Sequence, residues 1–295
     1  MSRLLDPAVM MSLKNLPLAA RTTIDGFTSG INKSKVKGPG LEFSQYRSYE
    51  PGDDLRWLDW KLYARSDRYY IRESEIDTSI FVRFVVDASA SMLHRDGDFT
   101  KIDYARYLVA TLGWLAYQQT DGIGLYVLQD NKLFSLPVKN DFQHLNRFCH
   151  RLEQIEPGGK FTTPVQYRDL FSGSYRRELL IFVTDLYQEE NEIMQMLDGL
   201  SAQRHEIIVF HIMAQNELEF DFNDYNALED LETGQQVVYD GLQDKTQMKH
   251  QMQEYFTRMK KKMVEKNIYY RMMRIDEPLE VAMRDFLKQR NQFKS

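Results

Sequence analysis

The chain has 295 residues with 38 Lys and Arg against 43 Asp and Glu, a net charge of −5. That length holds one large domain or two small ones, and the charge excludes the strongly basic footprint of a nucleic-acid binder. The single cysteine, Cys149, excludes an intrachain disulfide and a cysteine-rich zinc site and fits a reducing compartment.

The N-terminal stretch "MSRLLDPAVMMSLKNLPL" interleaves charges with apolar residues and lacks the continuous apolar core of a signal peptide. No stretch approaches the roughly 20 apolar residues of a membrane span. The expectation is a soluble, cytoplasmic protein with no membrane span. Residues 20–78 are rich in Gly, Arg, Asp and aromatics and show little helical periodicity, which predicts strands and turns. The predicted organisation is a β-rich N-terminal extension over 1–78 packed on the main domain, a main domain over 79–215, and a C-terminal extension over 216–295 that completes it.

From Ser79 onward, apolar runs alternate with helical patterns. "IFVRFVV" (Ile80 to Val86) is a continuous β-branched and aromatic run, as in a strand covered on both faces. It runs into Asp87, Ser89 and Ser91, three oxygen-bearing side chains spaced by two. One reading is a strand end followed by a helix capped by Ser91; the other is a divalent-cation site. "KIDYARYLVATLGWLAYQQ" has helical spacing, and "GIGLYVL" and "KLFSLPV" read as paired strands, with Pro137 placing the second at an edge. "FQHLNRFCHRLEQI" reads as a helix that buries Cys149. In "EPGGKFTTPVQYRDL", Gly158 and Gly159 precede Thr162 and Thr163, and Pro164 suits a first helical position, which makes Thr163 an N-cap. "ELLIFVTD" is a second buried strand ending in Asp185, followed by a helix and a third buried strand, "HEIIVFHI". Short strands and turns over 217–242, a Met- and Lys-rich helix over 244–266, a strand "NIYYRMM" and a helix from Leu279 complete the chain. The fold class that follows is α/β, a doubly wound, mostly parallel sheet.

In such sheets ligands bind outside the carboxyl ends of the strands at the switch point. Oxygen donors there, with no nearby His or Cys, suit a hard cation: Mg²⁺, or Mn²⁺ or Ca²⁺ in its place. The pattern resembles the metal-ion-dependent adhesion site of von Willebrand factor A domains, with D-x-S-x-S on one loop, a Thr on the second and an Asp on the third. The resemblance implies Ser89 and Ser91 as direct ligands, Asp87 and Asp185 holding metal-bound water or one of them binding directly, and Thr163 (alternatively Thr162) as a conditional ligand. It also implies an open position for the acidic side chain of a partner protein.

A narrower resemblance spans nearly the whole chain. "GPGLEFSQYRSYEPGDDLRWLDWKLYARSDRYYIRE" (Gly38 to Glu73), directly before the D-x-S-x-S strand, and the later "LETGQQVVYD" are similar to the bacterial family known as domain of unknown function family 58. That resemblance implies a MoxR-type AAA+ ATPase partner and a role in chaperone-like maturation or assembly. Here Lys160 and Phe161 separate the glycines from the threonines, where the family often has Thr directly. The first block also carries Arg47, Asp53, Asp54, Arg56, Trp57, Asp59, Trp60 and Arg65. The favoured reading is an ion-paired brace with Trp57 and Trp60 as anchors; the alternative is a partner-docking surface.

Catalysis is not supported. An Asp after a buried strand also opens phosphatases of the haloacid-dehalogenase type, but their second acid is replaced here by Ser89. No P-loop, no G-x-G-x-x-G opening a helix and no nucleophile elbow occurs, so no nucleotide or organic cofactor is expected. His205 and His211 read as structural, and His94 as a solvated loop residue near the metal loop. The reading is a metal-dependent interaction module. A metal-dependent phosphoesterase-like enzyme and a metal-independent scaffold are the alternatives.

Overall fold

The computed structural model describes residues 15–31, 43–51, 53, 58–74, 79–129, 132–161, 178–188, 190–202, 205–221, 227–238, 244–284 and 286. The chain divides into two compact units. One comprises Met1–Lys33 with Ile80–Ser295, the other Ser34–Ser79.

The larger unit opens with helix α1, Leu16–Ile31. Strands and turns were expected from residue 20, so this is a correction. Ala19, Ala20, Thr23 and Ile24 form a buried stripe at helical spacing. These four are mostly small residues, which is why they read weakly in the sequence. They let α1 approach helix α2, Lys101–Gln118, where the Thr23 and Tyr107 hydroxyls meet.

The sheet has six strands: β1 Phe81–Asp87, β2 Gly122–Gln129, β3 Lys132–Lys139, β4 Leu179–Thr184, β5 Glu206–Met213 and β6 Tyr269–Arg274. Their order is β6-β5-β4-β1-β2-β3. All neighbours pair in parallel except β2 and β3. The antiparallel β3, with Pro137, lies at the edge, as expected.

The pleat explains the continuous apolar runs. Val82, Phe84 and Val86 of β1 enter one core with α2 and with α3 (Phe142–Glu153), while Val85 enters the other. Leu180 and Phe182 join that second core beneath α4 (Glu190–Ser201) and α5 (Asp244–Glu265), where Met259 and Met263 are fully buried. A strand buried on both faces has no polar alternation to display. At the α2–α3 crossing Gly113 faces Phe148, whose ring would lie 2.7 Å from any Cβ placed there.

The smaller unit pairs strands Phe43–Ser48 and Tyr70–Ser74 antiparallel, with helix Trp60–Ser66 between them in sequence. Among the described residues no helix is long and apolar enough to cross a membrane.

Candidate metal centre

β1 and β4 are neighbours, and the strands that follow them lie on opposite sides. Their carboxyl ends therefore form the switch point. Asp87 and Thr184-Asp185 meet there, from segments 97 residues apart.

Asp87 is fully buried and its carboxylate is closely held. Oδ1 accepts the Ser89 N–H at 2.9 Å, while Oδ2 accepts the Thr184 hydroxyl at 2.7 Å and the Gln188 amide at 2.6 Å. Burial and the charge of Asp185 push its pKa up to about 7, against these donors. The chain then makes a single 3-10 turn, Ala90–Leu93. Ser89 stands at the capping position but its side chain makes no capping bond, and Ser91 lies inside the turn. The capping reading of Ser91 is therefore incorrect. The two hydroxyls instead lie 3.0 Å from each other, both buried.

Asp185 is held from the other side. Its Oδ2 accepts Lys101 Nζ at 2.7 Å, and the same ammonium donates to Glu217 Oε1 at 2.9 Å. Lys101 is fully buried at the first position of α2, where the helix dipole disfavours a cation. Burial works to lower its pKa, but Asp185 and Glu217 outweigh it and the pKa is raised. The Asp185 carbonyl accepts His211 Nε2–H at 3.0 Å. Burial takes the His211 pKa down to about 3, so the ring is neutral and its Nδ1 accepts the Tyr270 hydroxyl at 2.7 Å. His211 is structural, and the structure it supports is the third loop. Leu186, next in the chain, has φ +56 and is buried. Such a conformation costs a β-carbon-bearing residue about 1–2 kcal/mol. It is held by the Leu186 N–H to Thr184 Oγ1 at 3.1 Å and by the Tyr255 hydroxyl on its carbonyl at 3.1 Å.

The second loop is tied to the first by backbone. Gly158 N–H donates to the Ala88 carbonyl at 2.9 Å, and Ala90 N–H to the Gly159 carbonyl at 3.0 Å. Gly159 has φ +69, a glycine conformation. Phe161 is buried with its ring 6.3 Å from Phe182, which explains one of the two residues between the glycines and the threonines. Thr162 and Thr163 lie outside the described residues.

A fourth element was not foreseen at the site. Strands Ala227–Glu229 and Gln236–Val238 pair antiparallel, and the turn between them is organised by Asp230. Asp230 Oδ1 accepts the Glu232 and Thr233 N–H groups at 2.8 and 3.2 Å, and Oδ2 accepts the Thr233 hydroxyl at 2.7 Å. This turn presents Glu232 to the Ser89 and Ser91 hydroxyls. Burial raises its pKa, against the pull of those hydroxyls. Its Oε1 is buried without a hydrogen-bond partner.

The residues fit a hard cation. Two serine hydroxyls face the Glu232 carboxylate beside two buried aspartates, and a buried carboxylate oxygen without a donor, as Glu232 Oε1 is, is costly unless a cation meets it. Among the described residues no three His, Cys, Asp or Glu side chains alone could hold a metal, so a cation here must draw on hydroxyls and water, as Mg²⁺ does.

Of the predicted docking residues, Asp54, Arg56 and Trp57 lie outside the described residues, and Arg47 is placed only as a strand position. Asp53 accepts the Glu50 N–H at 2.8 Å, and Asp59 caps its helix through the Lys61 and Leu62 N–H groups, each at 3.0 Å. Arg65 is exposed in the last turn of that helix. Trp60, expected as an anchor, is 60% exposed, with its ring edge-on to Tyr63. His94 is half-buried rather than solvated, bonded to the Asn216 side chain at 2.9 Å.

Sequence reasoning missed Thr184, Gln188, Lys101, Glu217 and Glu232. Thr184 and Gln188 flank the Asp185 already singled out, so proximity could have found them. Glu232 stands in "LETGQQVVYD", noted only as a resemblance. Lys101 and Glu217 gave no local signal, because their partners are 84 and 116 residues distant.

A family model described as "Protein of unknown function DUF58" matches residues 45–262. Uncharacterized proteins of Mycobacterium bovis and Mycobacterium tuberculosis are 27% identical over 233 residues, covering 78% of this chain and 73% of theirs. Among solved structures, the conserved hypothetical protein BatB from Bacteroides thetaiotaomicron is similar at 16% identity and TM-score 0.47, covering 72% of this chain and all of that one. The VWA domain of SpRpn10 is similar at 12% identity and TM-score 0.40, covering 69% of this chain and 93% of that one.

Proposed function

The chain belongs to the DUF58 family of proteins of unknown function, and from that premise we propose that it is a metal-dependent protein-interaction module. Ser89 and Ser91 would hold a Mg²⁺ directly, with Asp87 and Asp185 acting through water or one of them directly, and Thr163 or Thr162 as a further ligand. The bound cation supplies a positive centre that takes a carboxylate. The partner is a protein that offers an acidic side chain, and family resemblance nominates a MoxR-type AAA+ ATPase as the machinery it serves, in the cytoplasm.

The observation that carries this reading is the Ser89–Ser91 pair. Two buried hydroxyls at the switch point make no capping bond, lie 3.0 Å apart and face the carboxylate of Glu232. A phosphoesterase reading is less well supported. The second acid such chemistry needs is replaced by Ser89, which cannot transfer the proton. The test is calorimetric titration of the EDTA-stripped chain with Mg²⁺ and Mn²⁺, beside Ser89→Ala/Ser91→Ala. Saturable binding that the double variant loses supports the module; equal binding by both removes the hydroxyls from the site.

A further inference from the structure

We infer that Glu232 is the site's own acidic ligand, a residue of this chain that holds the place a partner's carboxylate would take. The inference rests on the cation reading above and deepens it. A solvated turn needs no glutamate turned inward. Yet Glu232 is directed onto the Ser89 and Ser91 hydroxyls and beside the like charge of Asp185. A half-buried acid beside the like charges of Asp185 and Asp230 is unfavourable; the serine hydroxyls offset part of that cost, but its Oε1 is buried without a hydrogen bond. A cation held by the Glu232 carboxylate and the two hydroxyls would remove both costs.

The turn is built to hold the glutamate there. Asp230 takes the backbone N–H of Glu232 itself. Gly234 N–H donates to the Asp230 carbonyl at 2.7 Å and has φ +70, closing the turn. Lys160, from the glycine loop beside Ala88 and Ala90, exerts a favourable charge on Asp230. The turn is thus linked electrostatically to the loop that borders the site. Leu231, next to Glu232, is 46% exposed, so the turn is reachable from outside. A partner's carboxylate then competes with Glu232 for the cation, and displacing this turn becomes part of binding.

The experiment uses the full chain and compares wild type, Glu232→Gln and Ser89→Ala/Ser91→Ala. Mn²⁺ affinity is read by calorimetry, followed by titration of glutarate into each Mn²⁺-saturated protein. Glu232→Gln is expected to weaken Mn²⁺ binding at least tenfold and to strengthen glutarate binding at least tenfold. If wild type binds Mn²⁺, the serine variant does not, and Glu232→Gln leaves either affinity unchanged, this inference is overturned while the cation reading stands. If wild type binds no Mn²⁺, both are overturned. Glu232→Asp, which keeps the charge one methylene shorter, replaces Glu232→Gln if circular dichroism shows that the latter is not folded, with the same weakening expected.

Discussion

Lys101 Nζ donates to Asp185 Oδ2 at 2.7 Å, with both side chains fully buried. The ammonium starts one helix and the carboxylate ends one strand, so the third loop of the site is pinned by a charge pair the fold brings together. Glu217 completes it from a short helix after β5. Removing the lysine leaves two carboxylates in the interior without the ammonium they share. Lys101→Met is therefore expected to destabilise the protein by about 3–5 kcal/mol, the cost of breaking a buried pair on one side. Urea unfolding measures it. A loss below about 1 kcal/mol would mean that Asp185 and Glu217 find other partners.

The serine pair should behave in the opposite way. Ser89 and Ser91 bond each other rather than cap a helix, so the double substitution removes both members of that bond together, and the half-buried Glu232 carboxylate that also faces them can turn to water. Ser89→Ala/Ser91→Ala is expected to shift unfolding free energy by less than about 1 kcal/mol while Mn²⁺ affinity falls at least tenfold. Circular dichroism melts beside calorimetry separate the two effects.

Metal should also stabilise. A ligand at a hundredfold excess over its Kd adds about 2.7 kcal/mol to a protein that binds it only when folded. Added Mg²⁺ should raise the wild-type Tm, EDTA should reverse the rise, and the double serine variant should show neither change.

The α2–α3 crossing makes a purely structural prediction. A Cβ on Gly113 would lie 2.7 Å from the fully buried Phe148 ring. Gly113→Ala is expected to cost about 1–3 kcal/mol by overpacking, despite the better helix propensity of alanine. Gly113→Ala with Phe148→Leu should recover part of it.

Cys149 is buried in α3, and burial pushes its thiol up to about 12. Its neutral form favours the folded state fully below the unfolded thiol pKa near 9, and this contribution is lost as pH rises toward 12. The thiol should react with Ellman's reagent at pH 8 only as fast as the protein opens. In Cys149→Ala the alkaline decline in stability should be shallower. Stoichiometric labelling within seconds of mixing would contradict the burial.

Much of this arrangement is legible in the sequence because it is local. The buried strands are continuous apolar runs, and Asp87, Ser89, Ser91 and Asp185 follow two of them directly. Pro137 marks the edge strand. What escapes is what depends on contacts across the chain. Among the described side chains of α1 the buried ones are Ala19, Ala20, Thr23 and Ile24, too small and too polar to register as an apolar face. Lys101 looks like an ordinary first-turn residue until the fold supplies Asp185 and Glu217. Glu232 sits in a polar turn, where a glutamate is normally solvated, and only the approach of that turn to the serine loop gives it a role.

The proposed function depends on a cation at the Ser89 and Ser91 hydroxyls of the switch point. The most direct measurement is an anomalous difference map at the manganese edge from crystals of the full chain grown with Mn²⁺. One strong peak is expected against both hydroxyls and the Glu232 carboxylate, beside Asp87 and Asp185. Saturating Mn²⁺ with no peak there, or a peak only at some other place on the surface, would contradict the proposed function.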